Sequence, residues 1–288
     1  MTLSGVLLAL APALGWGLQA LCMQLVGGKF TQKVTGMVFT VLLVGIIVAF
    51  IKPPHITSSL IIGSILCGVF WSVGMILQVK SYDLVGVSMT MPISTGEQLF
   101  GTALVGAIFL HEWTDPTQWV LGIAALIIII IGITMTAYHE NKGPAGTNVK
   151  KGMIILLISS IGFIGYASFP AAFHLNGWDV ILPQAIAMFV TTLILVATQH
   201  DKEMFATPTW KNMLTGAFFE VGNLGILFSN AINGVAVGFT FSQLNVVIST
   251  LGGLWILHES KTSKEKKFII AGLILVVAGA IMIGITKR

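Results

Sequence analysis

Apolar residues run through this chain in blocks of about 17–25, the length an α-helix needs to cross a bilayer core of about 30 Å. Short charged or Pro/Gly/Asn-rich breaks separate them. The pattern predicts ten helices, at roughly 3–25, 34–51, 59–79, 85–110, 117–137, 152–172, 180–198, 212–229, 234–257 and 267–286. These blocks are too long for the alternating strands, about ten residues each, of an outer-membrane barrel, and a backbone in lipid must close its hydrogen bonds internally. The fold class expected is therefore all-α, integral to a membrane. The one hydrophilic stretch of any length, Tyr138 to Lys151 with Gly143-Pro144-Ala145-Gly146 inside it, divides the chain into residues 1–137, a linker 138–151, and residues 152–288.

The polar residues inside the blocks repeat. Val85 to Leu99 sets hydroxyls, a proline, a carboxylate and an amide into an otherwise apolar helix, and Gly234 to Asn245 repeats part of the pattern 148 residues later, at Gly86/Gly234 and Ser94/Ser242. With the same offset Gly68 and Gly74 fall on Gly216 and Gly222. With 147, Gly5, Gly15 and Trp16 fall on Gly152, Gly162 and Phe163, and His111-Glu112 on His258-Glu259. A duplicated unit of five helices must reverse its orientation in the membrane. The basic residues agree: twelve lysines follow helices 1, 3, 5, 7 and 9, whereas Lys52, Lys287 and Arg288 lie on the other side. The positive-inside rule then places both termini outside the cytoplasm, and the swap of lysine-rich loops between halves marks an inverted repeat.

Composition narrows the function. Hydrophobic residues make up 55% and charged ones 9%, against about a quarter charged in soluble domains. The net charge of +4 follows from lysine-rich loops and calls for no nucleic-acid partner. Cys22 and Cys67 lie in apolar runs, so no disulfide is expected. No basic leader or small-residue cleavage site marks the first helix for removal. His111-Glu112 and His258-Glu259 lack the second histidine of a zinc helix, and no nucleotide-binding loop or Ser/His/Asp, Cys/His or paired-Asp arrangement is evident. No enzyme, metal or cofactor is expected.

Nine of the eleven acidic residues lie in or beside loops; Glu97 and Glu220 lie inside apolar runs. A charge at the bilayer centre costs about 2.5–3.5 kcal/mol on insertion scales, so each is a candidate for proton coupling, against the alternative of a carboxyl hydrogen-bonded between helices. Helical spacing gathers other polar groups into stripes. Ser94, Glu97, Gln98, Gly101 and Thr102 share a face, as do Ser242, Asn245 and Ser249 with Gln243 alongside. Trp71, Met75 and Gln78 form a third stripe, Glu220 and Asn223 a fourth, and Trp16 and Gln19 are a turn apart, matched in the repeat by Phe163 and Tyr166. Amides, hydroxyls and aromatic faces suit a neutral polar substrate, and inverted repeats hold substrate near the midplane. The candidate substrate residues are Trp16, Gln19, Trp71, Gln78, Ser94, Gln98, Tyr166, Asn223, Gln243 and Asn245; the alternative for the stripes is interhelical bonding, about 0.6 kcal/mol each on average. Pro92 and Pro183 bend helices as hinges or fixed kinks. Lys80 either pairs with Asp83 as a gate or snorkels to the interface.

Leu84–Ser88, the run Met91-Pro92-Ile93-Ser94-Thr95-Gly96 followed by Gln98-Leu99, Leu182-Pro183-Gln184-Ala185, Ser242–Val247 and Lys261–Glu265 together resemble the glucose/ribose porter family of bacterial sugar uptake proteins, within the drug/metabolite transporter superfamily. The resemblance runs end to end. It implies a ten-helix 5+5 bundle in the plasma membrane of a bacterium that imports a monosaccharide, glucose first and ribose second, together with protons. Glu97 departs from the family's pattern, which has an apolar residue there, so a family-wide coupling role does not transfer to it. The alternative within the superfamily is an exporter of metabolites, amino acids or drugs, because fold alone fixes neither substrate nor direction. The oligomeric state is left open.

Overall fold

A computed structural model describes residues 3–85, 87–136, 138, 149–256 and 262–286, and every regular element among them is helical. The helices are α1 (Leu3–Val26), α2 (Phe30–Ile51), α3 (Ser58–Val85), α4 (Val87–Leu104), α5 (Pro116–Thr136), α6 (Val149–Ala172), α7 (Gly177–Ala197), the short α8 (Thr207–Lys211), α9 (Met213–Asn233), α10 (Val235–Ser242), α11 (Asn245–Trp255) and α12 (Ser263–Thr286). A π-helical turn, Val105–Phe109, continues α4. Among the described residues, eight stretches are long and apolar enough to cross a membrane: Leu3–Val26, Phe30–Ile51, Ser58–Gln78, Pro116–Thr136, Lys150–Ala172, Gly177–Ala197, Val235–Gly253 and Ser263–Thr286. The helices α4 and α9, which carry Glu97 and Glu220, are not among them.

Hydrophobic residues cover the outside as well as the inside. Ile123, Ile127 and Ile131 on α5 are 48%, 53% and 48% exposed, a row at i, i+4, i+8 that faces outward from one side of the helix. Such an apolar surface suits lipid contact and would be a liability in water. Caps at the ends come from short polar side chains. Asn176 Oδ1 accepts the Trp178 N–H at 3.0 Å, and Thr262 and Glu265 exchange side-chain-to-backbone bonds of 3.1 and 2.9 Å at the start of α12, a reciprocal capping box.

The two ends of the bundle differ. At one, the turn after α1 meets the turn after α7: Lys29 Nζ bridges Asp201 at 3.2 Å and Glu203 at 2.9 Å, and Asn212 donates to the Gly27 carbonyl at 3.0 Å. At the other, Glu112 meets Val235 and Ala236, and Ser59 Oγ donates to the Phe173 carbonyl at 3.3 Å. Between the ends the halves interleave: α1 packs on α9, α2 on α7 and α9, α3 on α6 and α7, and α5 on α12. Backbones approach closely between α1 and α9, where a Cβ on Gly15 would lie 2.3 Å from the Gly222 nitrogen and one on Gly222 2.3 Å from the Trp16 ring.

Several boundaries differ from the sequence reading. Helix α3 runs to Val85, so Lys80 and Asp83 belong to a helix rather than a connection; beyond the apolar part of the helix, Ser81 Oγ donates to the Gly152 carbonyl at 3.2 Å and fastens this end to α6. The expected helix 234–257 is two, broken at Gln243–Leu244, where i→i+3 bonds such as Gln243 N–H to Thr240 C=O at 3.1 Å replace the α-helical pattern. Pro183 lies inside α7, and Pro12 and Pro170 lie inside α1 and α6. Gly86, the linker between Tyr138 and Val149, His258-Glu259, Lys261 and Lys287-Arg288 lie outside the described residues.

Candidate functional site

Four polar side chains from three helices converge in the interior on Asn223. Its Oδ1 accepts from the Tyr166 hydroxyl of α6 at 2.8 Å and from Gln184 Nε2 of α7 at 3.1 Å, and its Nδ2 donates to Glu220 Oε1, one turn earlier on α9, at 3.0 Å. All four side chains are buried, with exposures of 4% or less. The helix geometry dictates the pairing of Glu220 with Asn223, since i and i+3 share a face. Apolar walls enclose the group: Trp71 of α3 lies 5.1 Å from the Phe219 ring in a tilted pair, and Met188, Phe163 and Met37 pack in the same cluster.

The network is not self-sufficient. Gln184 Oε1, Glu220 Oε2 and the Trp16 indole N–H are buried without a partner. Trp16 lies against Gly222, next to Asn223 in sequence. One donor and two acceptors are therefore left unmatched, although buried polar groups are ordinarily paired and each orphan costs about 1–3 kcal/mol. A sugar hydroxyl donates and accepts at once, so a polyol placed here would answer both kinds of orphan. A cavity of ≈ 260 Å³ opens beside Tyr166, bounded by Pro170, His174, Gly177, Ile226 and Asn230. Asn230 Oδ1 is a further buried acceptor without a donor.

A second polar group lies further along α3 and α6. Ser94 Oγ of α4 accepts from Gln78 Nε2 at 2.9 Å and from Gln98 Nε2 at 2.8 Å, and Ser160 Oγ of α6 donates to Glu97 Oε2 at 2.7 Å. Gln78 follows Trp71 by seven residues and Ser160 precedes Tyr166 by six, so the groups are separated by about 9–10.5 Å at 1.5 Å per residue. The candidate residues thus divide into two sets. Tyr166, Asn223, Glu220, Trp71 and Trp16 belong to the first; Gln78, Ser94, Gln98 and Glu97 to the second. Gln19 stands apart, its Nε2 donating to Met37 Sδ at 3.6 Å. Gln243 lies at the break between α10 and α11, 5% exposed, with Nε2 donating to Ser242 Oγ at 3.2 Å, and Asn245 opens α11.

Gln184 and Ser160 complete these groups and were absent from the sequence candidates. Gln184 carried the signal that singled out Gln98, an amide inside an apolar helix. Ser160 had none, since a lone serine is common between packed helices. The other omission is the carboxylate of Glu112, which accepts the N–H groups of Val235 at 2.5 Å and Ala236 at 2.9 Å and so caps α10. Gly234 makes room at φ +83°, where a Cβ would lie 2.7 Å from the carboxylate carbon. Glu112 thus lies just past the π turn that follows α4 and fastens that end to the start of α10. Among the described residues no three His, Cys, Asp or Glu gather to hold a metal ion.

Lipid-facing apolar rows, spanning helices and a polar interior together define a multi-pass membrane protein. The model of the family described as sugar transport protein matches residues 7–286. The chain belongs to this family, the glucose/ribose porters. It is 46% identical over 283 residues to a Listeria monocytogenes chain named as a sugar uptake protein, covering 98% of this chain and 99% of that one. It is 41% identical over 286 residues to the glucose uptake protein GlcU of Bacillus subtilis, with 98% of each covered. One solved crystal structure shares the fold with a TM-score of 0.73 at 16% identity, over 97% of both chains.

Proposed function

We propose that this protein is a secondary carrier that imports a monosaccharide, glucose ahead of ribose, by alternating access coupled to protons. The observation that carries the reading is the Tyr166–Gln184–Asn223–Glu220 network, with its orphaned donor and acceptors beside a cavity and between aromatic walls. Similarity to chains named for sugar and glucose uptake supports the substrate class. In this reading Asn223, Gln184, Tyr166 and Trp16 bond hydroxyls, and Trp71 faces the C–H surface of the ring. Gln78, Ser94 and Gln98 form a second polar station, with Gln243 and Asn245 at the helix break, the place where discontinuous helices of inverted-repeat carriers meet their substrates. Glu220, or Glu97, carries the proton.

The same proposal takes α1–α5 and α6–α12 as two inverted units spanning the membrane ten times, α4 with its π turn, α8–α9 and α10–α11 each counting as one crossing. Lysines crowd one end of the bundle, and the positive-inside rule makes that end cytoplasmic and both termini extracytoplasmic. A C-terminal phosphatase fusion would then be active, and a C-terminal fluorescent protein dark; the reverse pair of results overturns the orientation. Cells lacking other glucose and ribose carriers, supplied with this chain, should accumulate labelled glucose in a way that an uncoupler abolishes. Failure to take up any hexose or pentose would overturn the function and favour export of another metabolite.

A further inference from the structure

A second cavity, ≈ 340 Å³, lies at the lysine-rich end of the bundle, away from the cavity beside Tyr166. The turn after α1, the end of α3 and the end of α7 enclose it; Lys29, Thr31, Lys80, Val196, Gln199 and Asp201 supply its lining. Its floor leads back to the Asn223 network along α7. Gln184, Met188, Thr192 and Val196 recur every four residues on one buried face of that helix, a run of about 18 Å at 1.5 Å per residue. The face carries polar groups part of the way: Ser72 Oγ of α3 sits 3.0 Å from Thr192 Oγ1 and donates to the Met188 carbonyl at 3.3 Å. First cavity, network, polar seam and second cavity therefore follow one another along α7, from Gly177 at its start to Gln199 just beyond its end.

The chemistry of the second cavity selects its occupant. Of the charged side chains that line it, Lys29, Asp201 and Lys80, the first two are bridged to each other, and Lys29 also reaches Glu203 outside the lining. A neutral polyol, the solute that the carrier reading passes through the bundle, finds donors, acceptors and the apolar side chains of Phe30 and Ile76 there. We propose that this cavity is a second monosaccharide site, the release vestibule on the lysine-rich side, and that sugar reaches it along the α3–α7 seam. The proposal rests on the carrier reading above and adds the route and the second site.

Cysteines at Gln199 and, separately, at Leu195, both of which line the cavity, test this in membrane vesicles of known sidedness. The native Cys22 and Cys67 are buried, so the unmutated protein serves as the blank. Gln199→Cys and Leu195→Cys should react with a membrane-impermeant methanethiosulfonate applied to the lysine-rich face. Ala171→Cys in the Tyr166 cavity should react only from the opposite face. Glucose at about ten times its half-saturating concentration leaves about one site in eleven free, so reaction at Gln199→Cys and Leu195→Cys should slow about ten-fold. If the unmutated vesicles exchange labelled glucose while both cysteines react at one rate with and without it, or only from the opposite face, the second site is wrong and the carrier reading stands. If the unmutated vesicles exchange neither hexose nor pentose, both readings fall together.

Discussion

Replacing Asn223 by alanine tests whether the buried network is a unit. Asn223 mates three groups at once: the Tyr166 hydroxyl, the Gln184 amide and Glu220 Oε1. Interhelical bonds in membranes average about 0.6 kcal/mol, because the unfolded chain also finds partners in lipid; the two from Tyr166 and Gln184 set a floor of about 1.2 kcal/mol, to which the bond to Glu220 within α9 adds. Leaving three buried groups wholly unpaired would set a ceiling of about 9 kcal/mol. Tyr166→Phe deletes only one donor, and Asn223 Oδ1 keeps the bond from Gln184, so its cost should be about 0.6–1.5 kcal/mol. Unfolding titrations in mixed micelles should therefore rank Asn223→Ala as the more destabilising of the two. Glucose should perturb tryptophan emission in Tyr166→Phe but no longer in Asn223→Ala. Equal stability of the two variants would refute the shared-acceptor argument, and an unchanged glucose response in Asn223→Ala would remove that residue from the binding site.

Glu220→Gln keeps shape and removes titration; if Glu220 couples, uphill glucose uptake vanishes while counterflow between equilibrated compartments survives, and the same test applied to Glu97→Gln decides between the two carboxyls. Uncoupler-sensitive accumulation persisting in the double variant rules both out. Gly222→Ala places a Cβ 2.3 Å from Trp16, so it should cost about 1–3 kcal/mol by overpacking and shift the emission of Trp16; a neutral result would mean that α1 and α9 can part freely. At the lysine-rich end the Asp201 carboxyl is held below its ordinary value of 3.8 by the Thr31 hydroxyl first, then the Glu203 N–H and Lys29, and Lys29 is raised above 10.5 by Glu203 and Asp201. The stabilisation from Asp201 is complete above 3.8 and lost as pH falls through its lowered value; that from Lys29 is complete below 10.5 and lost as pH rises through its raised value. The difference in thermal midpoint between the unmutated protein and Asp201→Asn should stay flat over that window and shrink in acid; growth in acid would contradict the sign.

Helix positions were largely legible because hydropathy is a local property, and the intervals expected for α1, α5 and α6 fall within three residues of those seen. The break at Gln243–Leu244 was less so. Ser242, Asn245 and Ser249, with Gln243 alongside, read as a stripe on a continuous helix, since no glycine or proline marks the point. The extension of α3 past Gln78 escaped the apolar pattern because its last turns are fastened by contacts such as Ser81 with Gly152, 71 residues apart. Within the site, Glu220 and Asn223 could be paired from spacing alone, whereas Tyr166 and Gln184 reach Asn223 only through the packing of α6 and α7 on α9. The clasp of Lys29 on Asp201 spans 172 residues, a distance at which a single sequence carries no signal.

The interleaving of the two halves has a kinetic consequence during synthesis. Because α1 packs chiefly on α9, and α2 on α7 and α9, the first helices to enter the bilayer have no partner until much of the second half has followed. Nearly 190 residues separate the end of α1 from the start of α9, and at about 5–20 residues per second the wait is roughly 10–40 s. Through that interval Trp16 and the small residues of α1 face lipid or whatever insertion machinery shields them. A nascent chain halted after α5 should accordingly be inserted yet protease-sensitive, with compaction appearing only once α9 has emerged.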